Sequence, residues 1–303
     1  MDHKVLITGG SGLIGSHLST TLAAKGYQVA HLSRKKSGNE KVQTFEWDID
    51  KMTLEKGALD EVKTIVHLAG ASVAGKTWTE RRKKVIRDSR TKSAELLFQT
   101  VKEQPNQVQN FISASGISIY GNDRGQEILP EEATYGSEFL AEVCKDWEAI
   151  ALKFEDIGVR SVQVRTGLVL SIEEGLLPKM LKPVKFGVGA PLGNGKQLMS
   201  WIHVDDLVDI YIKAIEDEKL KGPYNAVAPN PVSNREFTRQ LADITNRPLI
   251  APNVPGIFLK LGLGEMAEMI VGGLNVTPRK IQNSGFQFKY KDLEFALRDL
   301  LHH

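Results

Sequence analysis

Thr8-Gly9-Gly10-Ser11-Gly12-Leu13-Ile14-Gly15-Ser16-His17-Leu18 decides how the rest of the chain is read. The apolar run Val5-Leu6-Ile7 feeds into it. Residues 12–25 leave it as a helix with Leu13, Ile14, Leu18 and Leu22 on one face and Gly26 as its C-terminal stop. In a strand–turn–helix of this kind each glycine has a task. Gly9 permits the tight turn off the strand, Gly12 lets backbone approach a pyrophosphate with no Cβ in the way, and Gly15 lets the helix pack closely on the sheet. The helix N-terminus then offers free N–H groups and the positive end of a dipole to phosphate. A glycine-rich turn alone is a weak signal, and a purely structural turn is the alternative. The strand before, the helix after and a second strand about 20 residues on supply the context that a dinucleotide site requires.

That second strand, Gln28 to Leu32, runs into Ser33-Arg34-Lys35. An acid at this point would meet a free ribose 2′-OH, whereas a cation suits a 2′-phosphate. Ser33 and Arg34 are therefore expected to favour NADP(H) over NAD(H), the alternative being ordinary solvated loop residues. Further strands are expected at Thr44–Trp47, Thr64–Leu68, Asn110–Ser113 and Arg160–Arg165, with helices over 79–103 and 137–154 between them. The small residues Ala69-Gly70-Ala71 let backbone run close under a cofactor. This alternation predicts an α/β fold, a doubly wound parallel sheet with the cofactor over the carboxyl ends of its strands. After Gly167 the chain becomes loop-rich. Ser200 to Asp206 precedes a helix that Asp205 would N-cap, and another helix starts near Ser233 or Asn234. The expected organisation is a cofactor-binding domain over 1–166 and a smaller substrate lobe over 167–303, some of whose segments return to the sheet. Residues 254–274 read as a buried helix of that lobe or as a Met-lined cover on a substrate pocket, and Lys260, Glu265 and Glu268 exclude a membrane span.

The 303 residues carry a formal net charge of +2, so there is no electrostatic footprint for nucleic acid. Arg81-Arg82-Lys83-Lys84 reads as a solvated helix face. The single cysteine, Cys144, excludes a disulfide within the chain, and no Cys/His cluster suggests a metal. With no leader pattern before the first strand, a cytoplasmic location is expected. Leu301-His302-His303 is given no role. The expected partner is a small-molecule substrate, with neither nucleic acid nor membrane, and a homodimer is left open.

Further motifs narrow the class. They are Thr-Gly-Gly-x-Gly-x-x-Gly at the start, Lys76-Thr77-Trp78-Thr79, Asp88-Ser89-Arg90, Phe139 to Glu148, Ser200 to Asp206, and Pro278 with Gly285-Phe286-Gln287-Phe288. With these, the whole chain resembles the extended short-chain dehydrogenases/reductases, in the epimerase-family branch related to sugar-nucleotide epimerases and ending in a short C-terminal domain. The resemblance implies a Rossmann domain holding NADP(H) through Gly9, Gly12, Leu13, Ile14, Gly15, Ser33, Arg34, Asp48 (to the adenine amino group), Leu68, Ala69, Gly70 and Ser89. Trp78, Trp201 and His203 are its substrate-pocket candidates.

The match breaks at the chemistry. The superfamily uses a Tyr, and a Lys four residues later, to exchange a proton with the substrate hydroxyl. Leu140 and Cys144 stand at those positions. Gly116 holds the place of the usual serine after the fifth parallel strand, and Met199 that of a diphosphate-binding arginine. Substitute groups are sought in Ser115 and Tyr120, with Ser118 on the same stretch; His203 is read either as a proton shuttle or as a structural histidine. The expected function is an NADP(H)-dependent oxidoreductase or epimerase-like enzyme without the Tyr/Lys pair. The alternative is a non-catalytic NADP(H)-binding redox sensor or scaffold for a protein partner.

Overall fold

The computed structural model describes residues 3–35 and 42–302; His303 lies outside them. In chain order the elements are β1 (Lys4–Thr8), α1 (Leu13–Ala24), β2 (Gln28–Ser33), β3 (Gln43–Asp48), β4 (Thr53–Leu54), β5 (Val62–His67), α2 (Glu80–Glu103), β6 (Asn110–Gly116), β7 (Ile128–Leu129), α3 (Phe139–Leu152) and β8 (Arg160–Thr166). There follow β9 (Leu168–Leu170), α4 (Leu176–Lys185), β10 (Leu198–Met199), β11 (Trp201–His203), α5 (Val204–Glu216), β12 (Gly222–Ala226), β13 (Val232–Ser233), α6 (Asn234–Ile244), α7 (Gly256–Leu263), α8 (Ala267–Val271), β14 (Asn275–Val276), α9 (Arg279–Asn283) and α10 (Leu293–His302).

Eight strands make the main sheet in the order β12-β8-β6-β5-β1-β2-β3-β4. All pair in parallel except β4, which closes the β3 edge antiparallel. Side chains alternate across such a sheet. In β1, Val5 and Ile7 join a core with residues of α1 and α5, while Leu6 joins the opposite core with residues of α2 and α3. In that second core Phe111 and Phe154 stack with ring centroids 3.8 Å apart. Because β2 and β5 flank β1, the chain winds away from β1 in both directions, and the turn after β1 sits at the switch point.

One strand was not located in the sequence, and two readings differ from the expectation. β12, in the 167–303 part, pairs with β8 at the edge of the main sheet; its sequence, Gly222-Pro223-Tyr224-Asn225-Ala226, has no apolar alternation to announce it. Its proline is tolerated because only one side of the strand is paired. Asp205 does not cap α5. The strand β11 runs directly into the helix, so the cap position falls on His203, whose Nδ1 accepts the Asp205 N–H at 3.1 Å. The buried Asp206 carboxylate instead accepts the backbone N–H groups of Lys289 (2.8 Å) and Tyr290 (3.0 Å), fastening the C-terminal segment to α5. Residues 254–274 are not one buried helix. Gly264, at φ +59°, breaks them into α7 and α8, and Ile257, Phe258 and Leu261 of α7 are exposed.

Gly15 is fixed by packing. A Cβ there would lie 2.3 Å from the Gly9 carbonyl oxygen and 2.7 Å from Gly10 Cα, so α1 packs on the turn itself through this position. Gly15→Ala should cost about 1–3 kcal/mol through overpacking and lower the melting temperature; an unchanged Tm by calorimetry would show that the turn can yield.

Candidate functional site

The turn after β1 and the end of β5 are built as one unit. Gly9 has φ +69°, and a Cβ on it would come within 3.1 Å of Ala69 N and Leu68 C. Thr8 Oγ1 accepts hydrogen bonds from the N–H groups of Leu68 (3.1 Å) and Ala69 (3.0 Å). Gly12 is different. Its N–H donates to the Gly9 carbonyl at 3.0 Å, and a Cβ would touch only that same oxygen, at 3.4 Å. Protein packing therefore does not explain a glycine at this exposed position. No side chain caps the N-terminus of α1, and its first turn carries no acid. Leu13, Ile14 and Gly15 open the helix, whose first bond is Ser16 N–H to Gly12 O at 2.9 Å. Uncapped donors, a positive dipole end and room in front of Gly12 fit the diphosphate of a dinucleotide.

At the end of β2, Arg34 is exposed and shares a shallow depression of ≈ 610 Å³ with Trp47, Asp48 and Ile49. Ser33 is half-buried at the end of β2. Asp48 is occupied locally: its Oδ1 accepts the N–H groups of Asp50 and Lys51, each at 3.0 Å. The bond from the Lys51 amide is foremost in holding the carboxyl below its ordinary pKa. On the other side of the switch point, Ser89 Oγ accepts the Ala71 N–H at 2.9 Å and so positions the loop after β5. A Cβ on Gly70 would fall 2.9 Å from Arg90 Cζ, so the arginine packs closely over that glycine.

The end of β6 is occupied by a buried polar network. Arg165 is fully buried; its Nε and Nη2 donate to Glu148 Oε1 and Oε2 at 2.9 and 2.8 Å. Its Nη1 donates to the Tyr120 hydroxyl (2.9 Å) and the Glu131 carbonyl (2.8 Å), and Nη2 also reaches the Tyr135 hydroxyl at 2.9 Å. Burial works against the charge, but Glu148 and Tyr120 hold the guanidinium above its ordinary pKa. Ser115 donates to Glu148 Oε1 at 2.6 Å, and Tyr120 to Asn225 Oδ1 at 2.7 Å. The catalytic reading of Tyr120 fails on this geometry. The side chain is 0% exposed, its hydroxyl both donates and accepts within the protein, and burial pushes its pKa up to about 12. Ser115 is likewise buried and committed to Glu148. Ser118, half-buried in the single 3-10 turn after β6, is the hydroxyl of this stretch with no hydrogen bond among the described residues.

Leu140 and Cys144 are both buried on α3, and a Cβ on Gly116 would lie 3.6 Å from Cys144 Sγ. Burial pushes the Cys144 thiol up to about 11, so it is neutral. Two pocket candidates are corrected. Trp201 is fully buried in a core with Phe237 and Leu241, its Nε1 donating to the Asn230 carbonyl at 3.0 Å. His203 is 1% exposed and stacks on Tyr290 at 3.8 Å, with Nε2 3.4 Å from Asp299. Burial lowers its pKa, and as cap of α5 it is a clasp between helices. Trp78 is half-buried beside the α2 N-terminus, edge-to-face with Phe139 at 5.3 Å, its Nε1 bonded to the Val73 carbonyl at 2.8 Å.

The sequence reading missed Arg165 and Glu148. Ser161, Gln163 and Arg165 alternate with Val162 and Val164, which reads as a solvent-facing side, yet all three polar residues are buried. Among the described residues no group of three or more His, Cys, Asp or Glu is placed to hold a metal ion, and no helix is long and apolar enough to cross a membrane.

Residues 5–227 match the family described as the NAD dependent epimerase/dehydratase family, and residues 254–300 match a domain of unknown function, DUF1731. The chain belongs to the NAD-dependent epimerase/dehydratase family. It is an extended short-chain dehydrogenase/reductase with the DUF1731 domain at its C-terminal end. It is 37% identical over 302 residues to the epimerase family protein YfhF of Bacillus subtilis, covering 98% of each chain. The human epimerase family protein SDR39U1, crystallised with NADPH, superposes with a TM-score of 0.88 at 27% identity over 99% of both chains. A nucleoside-diphosphate sugar epimerase from Corynebacterium glutamicum gives a TM-score of 0.80 at 36% identity, over 99% of this chain and 58% of that one.

Gly12 offers the test of the nucleotide site, since packing does not require a glycine there. Gly12→Val is expected to keep the circular dichroism spectrum and to abolish binding of NADPH, because the branched side chain would fill the diphosphate's space. A folded variant with wild-type affinity, measured by NADPH fluorescence, would remove this turn from the site.

Proposed function

We propose that this protein binds NADP(H) and exchanges hydride with a small carbonyl or alcohol substrate, without the Tyr/Lys proton relay of sugar-nucleotide epimerases. The observation that carries the reading is the pairing of an open, uncapped α1 N-terminus with buried Leu140 and Cys144 where the relay would stand. The NADPH bound to the human relative supports the choice of nicotinamide cofactor, and the exposed Arg34 supports the 2′-phosphate. When bound, the nicotinamide supplies or takes up the hydride. The chain's own residues do the rest. The helix N-terminus would hold the diphosphate, the Leu68–Gly70 backbone would run close along the cofactor, and Ser118 would offer a hydroxyl to the substrate oxygen. A serine hydroxyl positions that oxygen but is a poor acid near neutral pH, so the proton comes from water.

Loss of positioned acid–base help lowers rates by roughly 10²- to 10⁴-fold. Slow turnover is therefore expected, and nucleotide sugars are poor substrates. The buried Leu140 and Cys144 also favour a second reading, a redox-state sensor that binds NADP(H) and a protein partner without turnover. A broad screen showing no turnover, with partner affinity changing on NADPH binding, would select it.

Arg34→Ala tests cofactor choice. A guanidinium–phosphate bond contributes about 1.5–3 kcal/mol, so NADPH affinity should fall by about ten- to a hundredfold while NADH affinity hardly moves. Equal losses for both cofactors in calorimetry would reject the assignment. Epimerisation of a common nucleotide sugar with kcat near the usual value of about 10 s⁻¹ would reject the missing relay.

A further inference from the structure

Along α2 and the facing part of α3 many of the charges are matched. Asp88 pairs with Lys84 (2.9 Å) and Lys92 (3.3 Å), Lys83 with Glu80 (3.4 Å) and Glu265 (2.7 Å), Arg87 with Asp146 (3.0 Å), and Glu142 with Lys145 (2.5 Å). Glu148, the remaining carboxylate of α3, is taken by Arg165. Arg82 and Arg90, like the exposed Arg81, have no carboxylate partner among the described residues. Arg82 and Arg90 are half-buried, and both reach the loop after β5. Arg90 Nη1 donates to the carbonyls of Ala71 (3.1 Å) and Ile86 (2.9 Å), and Arg82 Nη2 donates to the Ser72 carbonyl. These bonds use one nitrogen of each guanidinium. Arg82 Nε is buried with no hydrogen-bond partner among the described residues.

Holding two like charges on one loop without a counter-charge is unfavourable, and an orphaned buried donor in a native site calls for an explanation. Burial holds the Arg90 guanidinium below its ordinary pKa, and Arg82 pushes it the same way against the opposing pull of Cys144. An anion between these groups would remove the repulsion, and the flat fork of an arginine matches carboxylate or phosphate oxygens. The position is informative too. Arg90 Cζ lies against Gly70 at the end of β5 and 5.3 Å from the Trp147 ring, one helical turn from Cys144, which faces Gly116 at the end of β6. In the reading proposed above, on which this inference rests, that is where substrate meets the nicotinamide. The second lobe offers no substitute at position 199, since Met199 is buried with Asn234 donating to its sulfur at 3.6 Å.

We propose that Arg82 and Arg90 form the substrate's anion subsite, and that the substrate is a small carbonyl or alcohol bearing a carboxylate or phosphate. The anionic group is held by α2 rather than by the second lobe, and the reacting carbon lies toward Gly116 and Ser118.

The test uses the full chain saturated with NADPH in low-chloride buffer, titrated by calorimetry with oxalate and separately with inorganic phosphate. At least one anion is expected to bind, the preferred one identifying the group on the substrate. Arg82→Met and Arg90→Met should each weaken it by about tenfold or more, with NADPH affinity unchanged in Arg82→Met and lowered by less than anion affinity in Arg90→Met. Arg90→Lys, which keeps the charge and loses the fork, should fall between. Should Arg90→Met fail to fold, Arg82→Met carries the same readout, because its side chain holds less of the loop. The proposal is overturned if neither anion binds, if binding is indifferent to the substitutions, or if NADPH affinity falls as much as anion affinity. Failure of the wild type to bind NADPH would instead sink the cofactor reading; the same titrations on the free chain then decide the arginine site.

Discussion

The buried ion pair between Arg165 and Glu148 is the constraint on which the rest of the site depends. Removing two charges from water is expensive, and the arrangement repays it only by satisfying every polar atom nearby. All three nitrogens of the guanidinium find acceptors on α3, on the turn after β6 and on the segment leading to Tyr135. Asn225 continues the network into β12, its N–H donating to Glu131 Oε1 at 2.8 Å and its amide to the carbonyls of Leu129 and Thr277. Removal of one partner from such a pair typically costs about 3–5 kcal/mol, because the other is left charged and buried. The two hydroxyls that the sequence offered as proton donors, Ser115 and Tyr120, are part of this scaffold. Their engagement is what leaves the β6 end so poor in acid–base groups.

Legibility in the sequence followed the physics of each signal. The β1–turn–α1 unit could be read because glycine spacing, apolar run and helical period all agreed, and the structure gives Gly9 and Gly15 a steric reason and Gly12 an open one. The parallel strands up to β8 were legible for the same reason. Polar residues facing a buried layer were not. Ser161, Gln163 and Arg165 have the pattern of an exposed side, and only their partners on other elements reveal otherwise. Trp201 and His203 looked like pocket residues because large aromatic and titratable side chains carry function often. Their burial comes from α6 and α10, which are distant in sequence. Arg82 was hidden in the basic run 81–84 and Arg90 in the motif Asp88-Ser89-Arg90, since a sequence does not show which cations lack a counter-charge.

The C-terminal segment adds a structural link across the molecule. Glu265 meets Lys83 of α2, and Asn122 donates to Glu268 Oε2 at 3.3 Å, so the 264–268 stretch is tied both to the helix carrying the two arginines and to the loop after β6. The domain match over 254–300 covers this segment. Its first helix, α7, keeps Ile257, Phe258 and Leu261 in solvent while its neighbours make the polar ties.

Cys144 has a consequence for handling. Nucleophilic attack by a cysteine requires the thiolate, and a buried thiol held at about 11 supplies almost none near neutrality. Alkylating reagents and mild peroxide should leave the side chain intact, so labelling at this residue reports unfolding rather than native reactivity. In the native fold the sulfur is a packing group of α3 rather than a nucleophile.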